Sequence, residues 1–435
     1  MPTSLRPGLE RRLNSALQGE VMFDAFSRGR YATDASIYQM MPLGVAVPRS
    51  LDDVRAAIAL AREEGVPLLP RGGGTSQAGQ TVNEALVLDT SKHLNRILDL
   101  DVAGKRCTVE PGIVLDELNR QLKPHGLWFP VDVSTASRAT IGGMTANNSC
   151  GGRSIHYGTM RDNVIAIDAI MADGTEAHFG SVPRSLAGLN EPVREQFAEL
   201  LKLGEREAAE IAARFPNVVR RVGGYNIDAL APNGPENNLA HLLVGSEGTL
   251  AYSSTIELKL SPLPKNKVMG VCHFPTFYQA MDATQHLVTL GPHAVELVDS
   301  TMIALARDID IFRPTVEQFV RGDPAALLLV EFAEEDQAEN LRRLKQLHER
   351  MADLGFTWKG SGKSWGGVVE AIEPALQGAI AEVRKSGLNI MMSMKSQGKP
   401  VSFVEDCAVE LPDLAEYTAG LTEIFTKHGT TGTWY

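Results

Sequence analysis

The sequence predicts an α+β protein of more than one domain. Three observations carry this. At 435 residues the chain is long enough for two or three separate cores. Strand-like and helix-like segments follow one another in both halves of the chain, the pattern of sheets covered by helices. A proline pair, Pro262-Leu263-Pro264, interrupts that pattern and marks a boundary. The expected division is an N-terminal segment over 1–41, a first domain over 42–264 with a helical insertion at about 185–218, and a second domain over 265–435. No internal repeat or low-complexity segment is evident.

Each element has its own signal. Ser50 can cap a helix in which Leu51, Val54, Ile58 and Ala61 recur at helical spacing; Asp53 sits at the third helical position and Gly65 ends the helix. Val66–Leu69 then reads as a strand, as do Leu86–Leu88 and Cys107–Val109. Leu115, Leu118 and Leu122 mark a short amphipathic helix. Val164–Met171 is an apolar, β-branched run, and Asp173-Gly174 turns it back into Ala177-His178-Phe179. In the second half Val268–Phe274, Ala325–Phe332 and Pro400–Val404 are strand-like, while Glu335–Leu354 and Leu411–Lys427 are helix-like. These segments predict a sheet with helices on one face.

Composition narrows the function. The formal net charge of −11 argues against nucleic acid as the main partner, since phosphate backbones need a basic face. It leaves room for a small acid held by a local arginine. No run of about 18 apolar residues is present to span a membrane, and the N-terminus has no apolar signal core. The expected location is the cytoplasm, free or peripheral to a membrane. Four cysteines, at 107, 150, 272 and 407, show no C-x-x-C spacing, so neither a zinc ribbon nor an iron–sulfur cluster is expected from them. They read as buried free thiols in a reducing compartment.

The most informative stretch is residues 70–80, Pro-Arg-Gly-Gly-Gly-Thr-Ser-Gln-Ala-Gly-Gln, which packs four glycines into eleven positions directly after an apolar run. Such a loop lets the backbone approach a ligand closely, and successive N–H groups can cradle a phosphate or pyrophosphate. It is not a Walker A loop, because Thr75 follows where the Gly-Lys pair belongs, which removes the nucleoside triphosphatase reading. Nor does it follow the G-x-G-x-x-G pattern. The alternative is a flexible surface loop.

Two further segments weigh against that alternative. Residues 130–152, from Pro130-Val-Asp132 through Thr140-Ile-Gly142-Gly143 to Asn147-Asn148-Ser-Cys-Gly151-Gly152, carry small residues suited to a wall against a large flat ligand, with Asn147 and Asn148 as amide contacts for a heterocycle edge. Gly245-Ser246-Glu247-Gly248-Thr249-Leu250 is the third. In this order the three segments resemble the FAD-binding domain of the vanillyl-alcohol oxidase and p-cresol methylhydroxylase superfamily. Ser246 and Ala251 depart from the family's usual Thr and Gly, and both are small. The resemblance runs from about Pro42 to the end and is nearest to the N-terminal region of bacterial D-2-hydroxyglutarate and D-lactate dehydrogenases, which are often fused to an iron–sulfur domain.

What the resemblance implies is specific. The first domain would be two α+β subdomains holding FAD, and the second an α+β cap, incomplete at its C-terminus. FAD would be held by Arg71, Gly72, Gly73, Gly74, Thr75, Ser76, Gly79 and Gln80 in the first segment, by Pro130, Thr140, Gly142, Gly143, Asn147 and Gly151 in the second, and by Glu247 and Gly248 in the third. His156 is the residue to weigh for a covalent flavin bond, although the relatives more often bind FAD without one, so packing or hydrogen bonding is its expected role.

Oxidation of a hydroxy acid needs the substrate's carboxylate pinned, its carbon placed against the flavin and its hydroxyl proton removed. Arg384 resembles the family's carboxylate-binding arginine, and its fork matches a carboxylate at two points; the alternative is a solvated surface arginine. Lys399 is a candidate for a second carboxylate, and Glu405 and Asp406 for orienting a base; exposed surface positions are the alternatives. The family's catalytic histidines follow a Gly-Thr-Trp-like strand, and here Gly432-Thr433-Trp434-Tyr435 is the last stretch of the sequence. The chain is therefore expected to be part of a longer enzyme, to bind FAD yet turn over poorly, and to involve a divalent metal in a longer form only. The expected reaction is FAD-dependent oxidation of a D-2-hydroxy acid, 2-hydroxyglutarate or lactate, with electrons leaving to an acceptor outside the chain. The alternatives are a glycolate-type oxidase and a flavin-binding electron-transfer module without turnover.

Overall fold

The structure, a computed structural model, describes residues 7–359, 364–392, 401, 404 and 407–434. Three sheets carry it, and each is placed by where its apolar residues point. The first has four strands in the order Glu20–Met22, Gly44–Val47, Leu86–Asp89, Leu68–Arg71. Its last three are parallel, and the N-terminal strand joins Gly44–Val47 antiparallel. Helices Pro7–Ala16 and Leu51–Glu63 cover one face through Leu9, Leu13, Val54 and Ala57.

Ser50 caps the second of these helices, its hydroxyl accepting from the Asp53 N–H at 3.3 Å. The Asp53 carboxylate is buried and accepts from the N–H groups of Gln18, Gly19 and Arg49 at 2.8–2.9 Å. An acid that reads in sequence as part of a helix cap thus also anchors the N-terminal segment. A buried carboxylate is stable only when its oxygens are satisfied, and three amide donors do this.

The second sheet is antiparallel, in the order Ile97–Asp101, Arg106–Val109, Ala251–Lys259, Val164–Met171, Glu176–Phe179. Ile170 and Tyr252 on one face join the core of the first sheet. Val109, Ile167, Ile256 and Leu258 help form a larger core under helices Leu115–Leu122, Ile141–Asn147 and Val193–Arg206. The charged stretch read as an insertion forms helices Val193–Arg206 and Ala208–Arg214, and it contributes Phe197 and Leu201 to that core.

The third sheet is antiparallel, in the order Ala294–Asp299, Ala326–Phe332, Val268–Phe274, Gly367–Ala371. Its strands are apolar in both directions. Cys272, Phe274, Leu328 and Val330 face helices Phe277–Leu287 and Gln337–Asp353. Val271, Leu327, Leu329 and Ala371 face helices Ser300–Asp308, Arg313–Phe319 and Pro374–Lys385. The expectation of helices on one face is therefore corrected: helices pack on both. Residues such as Leu327-Leu328-Leu329-Val330 signal this, because a strand buried on both sides reads as a continuous apolar run rather than an alternating one.

Two other expectations change. Cys107 and Cys272 are buried, but Cys150 is only half-buried and Cys407 is exposed, so the four thiols are not all core residues. Residues 431–434 do not form a strand; the Trp434 N–H instead donates to Asp299 at 3.1 Å, and its indole lies 5.6 Å from the Phe277 ring. Among the described residues no helix is long and apolar enough to cross a membrane.

Candidate active site

A cleft of about 2260 Å³ lies between the first two sheets and the third. A pocket for one small ligand is typically about 300–1,000 Å³, so this one has room for a dinucleotide and a substrate together. Arg71, Gly73, Gly74 and Thr75 line it from the first loop, Gly151 from the second segment and Arg153 directly after it, and Glu296, Glu331 and Arg384 from the third sheet and its helices.

The two glycine-rich segments touch each other directly. A Cβ on Gly73 would stand 2.2 Å from the Arg138 carbonyl oxygen, and one on Gly72 would stand 2.0 Å from Thr140 Oγ1. Gly74 has φ +64°, a turn that favours glycine. The Arg71 guanidinium donates to the carbonyls of Tyr31, Thr33 and Thr81 at 2.8–3.1 Å. It stitches the loop to the N-terminal segment rather than reaching across the cleft as an unbonded cation. Ser76 and Gln80 hydrogen-bond each other, and Gly79 turns the loop at φ +82° against the Tyr38 ring.

In the second segment Pro130 is buried. Thr140 caps helix Ile141–Asn147, accepting from the Gly143 N–H at 3.3 Å, and Gly142 packs on Pro111. Gly151 runs against the Asp132 carbonyl so closely that a Cβ would meet its oxygen at 1.3 Å.

The third segment docks on the end of the same helix. The N–H groups of Gly245 and Glu247 donate to Thr145 and Ala146 at 3.0 and 2.8 Å, and Asn147 Nδ2 donates to Glu247 Oε1 at 3.1 Å. Gln80 also hydrogen-bonds Glu247, whose carboxyl burial pushes up against these two donors. Gln80, Asn147 and Glu247 thus meet at a second, smaller cavity of about 290 Å³. Gly248 turns beside Pro70 at φ +71°. Asn148 does not present its amide to the cleft: it is buried, its Oδ1 accepting from Arg161 N at 3.0 Å.

Arg384 lies in the last turn of helix Pro374–Lys385 and opens on the cleft. Its Nε pairs with Glu296 Oε2 at 2.7 Å. Lys399, Glu405 and Asp406 lie outside the described residues. His156 stacks on His293, ring centres 3.9 Å apart, and packs edge-on to Tyr157. Burial, with His156 alongside, lowers His293 to about 4, so it is neutral; its Nδ1 accepts from Ala333 N at 3.1 Å.

Sequence reading missed the charged network beside Arg384. Arg153 donates through Nε and Nη2 to both oxygens of Glu331, at 2.8 and 2.9 Å, and through Nη1 to Asp132 at 2.9 Å. Burial works against the Arg153 charge, but these carboxylates outweigh it and raise its pKa. Glu331 is likewise resisted by burial yet held low by Arg153, whereas burial raises Asp132. Glu296 is raised by burial to about 7 despite Arg384. A signal was available: Glu296 and Glu331 each interrupt a strand of apolar residues, and a buried charge needs a partner. Arg138 and Arg220, which also line the cleft, were not singled out either. Among the described residues no group of three or more His, Cys, Asp or Glu could hold a metal ion.

Comparison with known proteins identifies the two domains that form the cleft. Residues 42–180 match the family described as FAD binding domain, and residues 263–435 match FAD linked oxidases, C-terminal domain. The chain carries a FAD binding domain followed by the C-terminal domain of FAD linked oxidases. Among its relatives is the D-2-hydroxyglutarate dehydrogenase of Pseudomonas putida, 32% identical over 435 residues, covering 97% of this chain and 42% of that protein. The Escherichia coli protein of the same name is 31% identical, covering 92% and 40%. Glycolate oxidase subunit GlcD of Bacillus subtilis is 26% identical, covering 95% and 75%. A solved alkyldihydroxyacetonephosphate synthase shares the fold at 18% identity with a TM-score of 0.63, covering 89% of this chain and 65% of that one. The chain spans less than half the length of the D-2-hydroxyglutarate dehydrogenases it matches.

FAD is the cofactor, and the residues present fit it. The cleft is larger than one small ligand needs, and Gly73, Gly74 and Gly151 line it with bare backbone that a ligand can approach closely.

Proposed function

We propose that this chain forms the flavin-binding and carboxylate-binding parts of an enzyme that oxidises a D-2-hydroxy acid to the 2-oxo acid. The observation that carries the reading is that the Arg384 guanidinium opens on the same cleft as Gly73, Gly74 and Gly151. A carboxylate on Arg384 would hold the hydroxyl-bearing carbon within that shared space, which is the positioning such a reaction needs. FAD, when bound, supplies the two-electron acceptor. The chain's own residues cradle the cofactor with the first loop and the second segment, fix the substrate through Arg384 and set the local charge.

The names of the relatives favour 2-hydroxyglutarate as substrate, with lactate next. The glycolate oxidase subunit supports a smaller acid as the second reading, because this chain covers 75% of that protein. Electrons would leave to an iron–sulfur domain, quinone or carrier outside the chain, in the cytoplasm or at a membrane surface. The test is anaerobic single-turnover reduction of the bound flavin by a panel of D- and L-2-hydroxy acids, followed long enough for a slow reaction to finish. A D-acid should bleach the flavin and its L-form should not. A flavin left oxidised by every acid in the panel would count against the reading.

A further inference from the structure

Glu296 is a cleft carboxylate that the reading above leaves without a task. It lies on strand Ala294–Asp299, its side chain 13% exposed, with Oε2 2.7 Å from Arg384 Nε. Its other oxygen lies against Gly152, where an added Cβ would approach Oε1 to 1.7 Å. The charged groups facing it are Arg384 from helix Pro374–Lys385, Asp132 from the second glycine-rich segment and Arg153 directly after it, and Glu331 from the neighbouring strand. Arg153 directs its guanidinium nitrogens at Glu331 and Asp132, so the cation in contact with Glu296 is Arg384.

We propose that Glu296 is the resting partner of Arg384, that the substrate's carboxylate takes its place on the guanidinium, and that Glu296 takes up one proton as it is displaced. The inference rests on the reading that Arg384 meets the hydroxy acid. Its physical basis is charge balance in a partly dry site. The network holds Arg153 and Arg384 against Asp132, Glu296 and Glu331, with Lys267 3.9 Å from Glu331, so its charges are equal in number. An incoming carboxylate adds an anion and removes the counter-charge of Glu296. A carboxylate left buried without a partner protonates. Burial already holds this one near neutrality, at about 7. The exchange balances: one substrate anion and one proton enter, Glu296 becomes a neutral acid, and no covalent bond to carbon forms or breaks.

The sign of the pH dependence follows. The bound state holds one more proton than the free state, so affinity falls as pH rises above the titration of free Glu296, approaching about tenfold per pH unit. Lowering the pH until Glu296 is already neutral removes the dependence.

The experiment is calorimetric titration of the 2-oxo acid products, pyruvate and in parallel 2-oxoglutarate, which carry the same carboxylate and cannot reduce the flavin, into the oxidised FAD-loaded 435-residue chain, in buffers of different ionisation enthalpy. At about pH 8 the wild type should take up close to one proton per ligand, and its Kd should rise nearly tenfold from about pH 8 to 9. Glu296→Gln, which keeps the shape, should bind with no proton uptake and with a flat Kd, more tightly than wild type at the higher pH. Arg384→Ala should bind about tenfold to a hundredfold more weakly at every pH. Binding by the wild type with no proton uptake overturns the exchange and leaves the proposed function standing, and this measurement does not depend on any variant folding. A pH slope that survives Glu296→Gln also overturns it. Absence of binding by the wild type, matched by Arg384→Ala, overturns both readings together.

Discussion

At the scale of single residues, Gly73 shows what the glycine-rich loop does. Its α-carbon backs onto the Arg138 carbonyl, and a Cβ would come to 2.2 Å from that oxygen. Gly73→Val should therefore push the first loop off the second segment and abolish FAD retention, measured as the flavin-to-protein ratio after purification; a variant that stays fully yellow contradicts this. The density of glycines was legible in the sequence, but its reason was only half legible. Close approach to a ligand could be read from composition, whereas close approach of the two loops to each other needs the fold. Arg71 is similar: its place in the motif was plain, but its three carbonyl partners come from residues 31, 33 and 81, which no local pattern connects. Glu296 stands out as an acid in an apolar run, but its partner was not legible, because Arg384 lies 88 positions along the chain.

At the scale of elements, periodicity was the reliable guide. Val164–Met171 and Val268–Phe274 appear as strands over the residues their apolar runs mark, and the Ser50 cap starts helix Leu51–Glu63. Ala294–Asp299 and Gly367–Ala371 were not singled out, since a five- or six-residue strand interrupted by Glu has no clear period and is fixed by its neighbours in the sheet. The helical stretch after residue 185 was read as an insertion, and its packing makes it more than decoration. Phe197 is fully buried, 5.0 Å from the Phe179 ring. Phe197→Ala should cost about 3–5 kcal/mol through lost burial and the cavity left behind, read from denaturant unfolding. A loss below about 1 kcal/mol would mean that the helix is only loosely attached.

At the scale of the whole molecule, the Arg153 network ties the second glycine-rich segment to the third sheet. Removing the arginine leaves buried Glu331 and half-buried Asp132 without their partner, so Arg153→Met should cost about 3–5 kcal/mol near neutral pH. The sign with pH is fixed by Glu331, whose pKa is held below its ordinary 4.5. A lowered carboxyl contributes stability above its unfolded value and loses it as pH falls through its folded one. In the variant, Glu331 instead favours the protonated form. The Tm gap between wild type and Arg153→Met should thus be wide at about pH 7 and narrow toward pH 4. A gap that does not change with pH would remove the network from the stability account.

The central claim is that one cleft holds both FAD and a substrate carboxylate, the latter on Arg384. The most direct measurement is a titration of 2-oxoglutarate, the product acid that cannot reduce the flavin, into the FAD-loaded chain, followed by the visible spectrum of the bound flavin, for wild type and Arg384→Ala. A charge-assisted contact is worth about 1.5–3 kcal/mol, so the variant should bind about tenfold to a hundredfold more weakly while keeping its full FAD content. Equal affinity in the two proteins, or an acid that binds without perturbing the flavin spectrum, would contradict the claim.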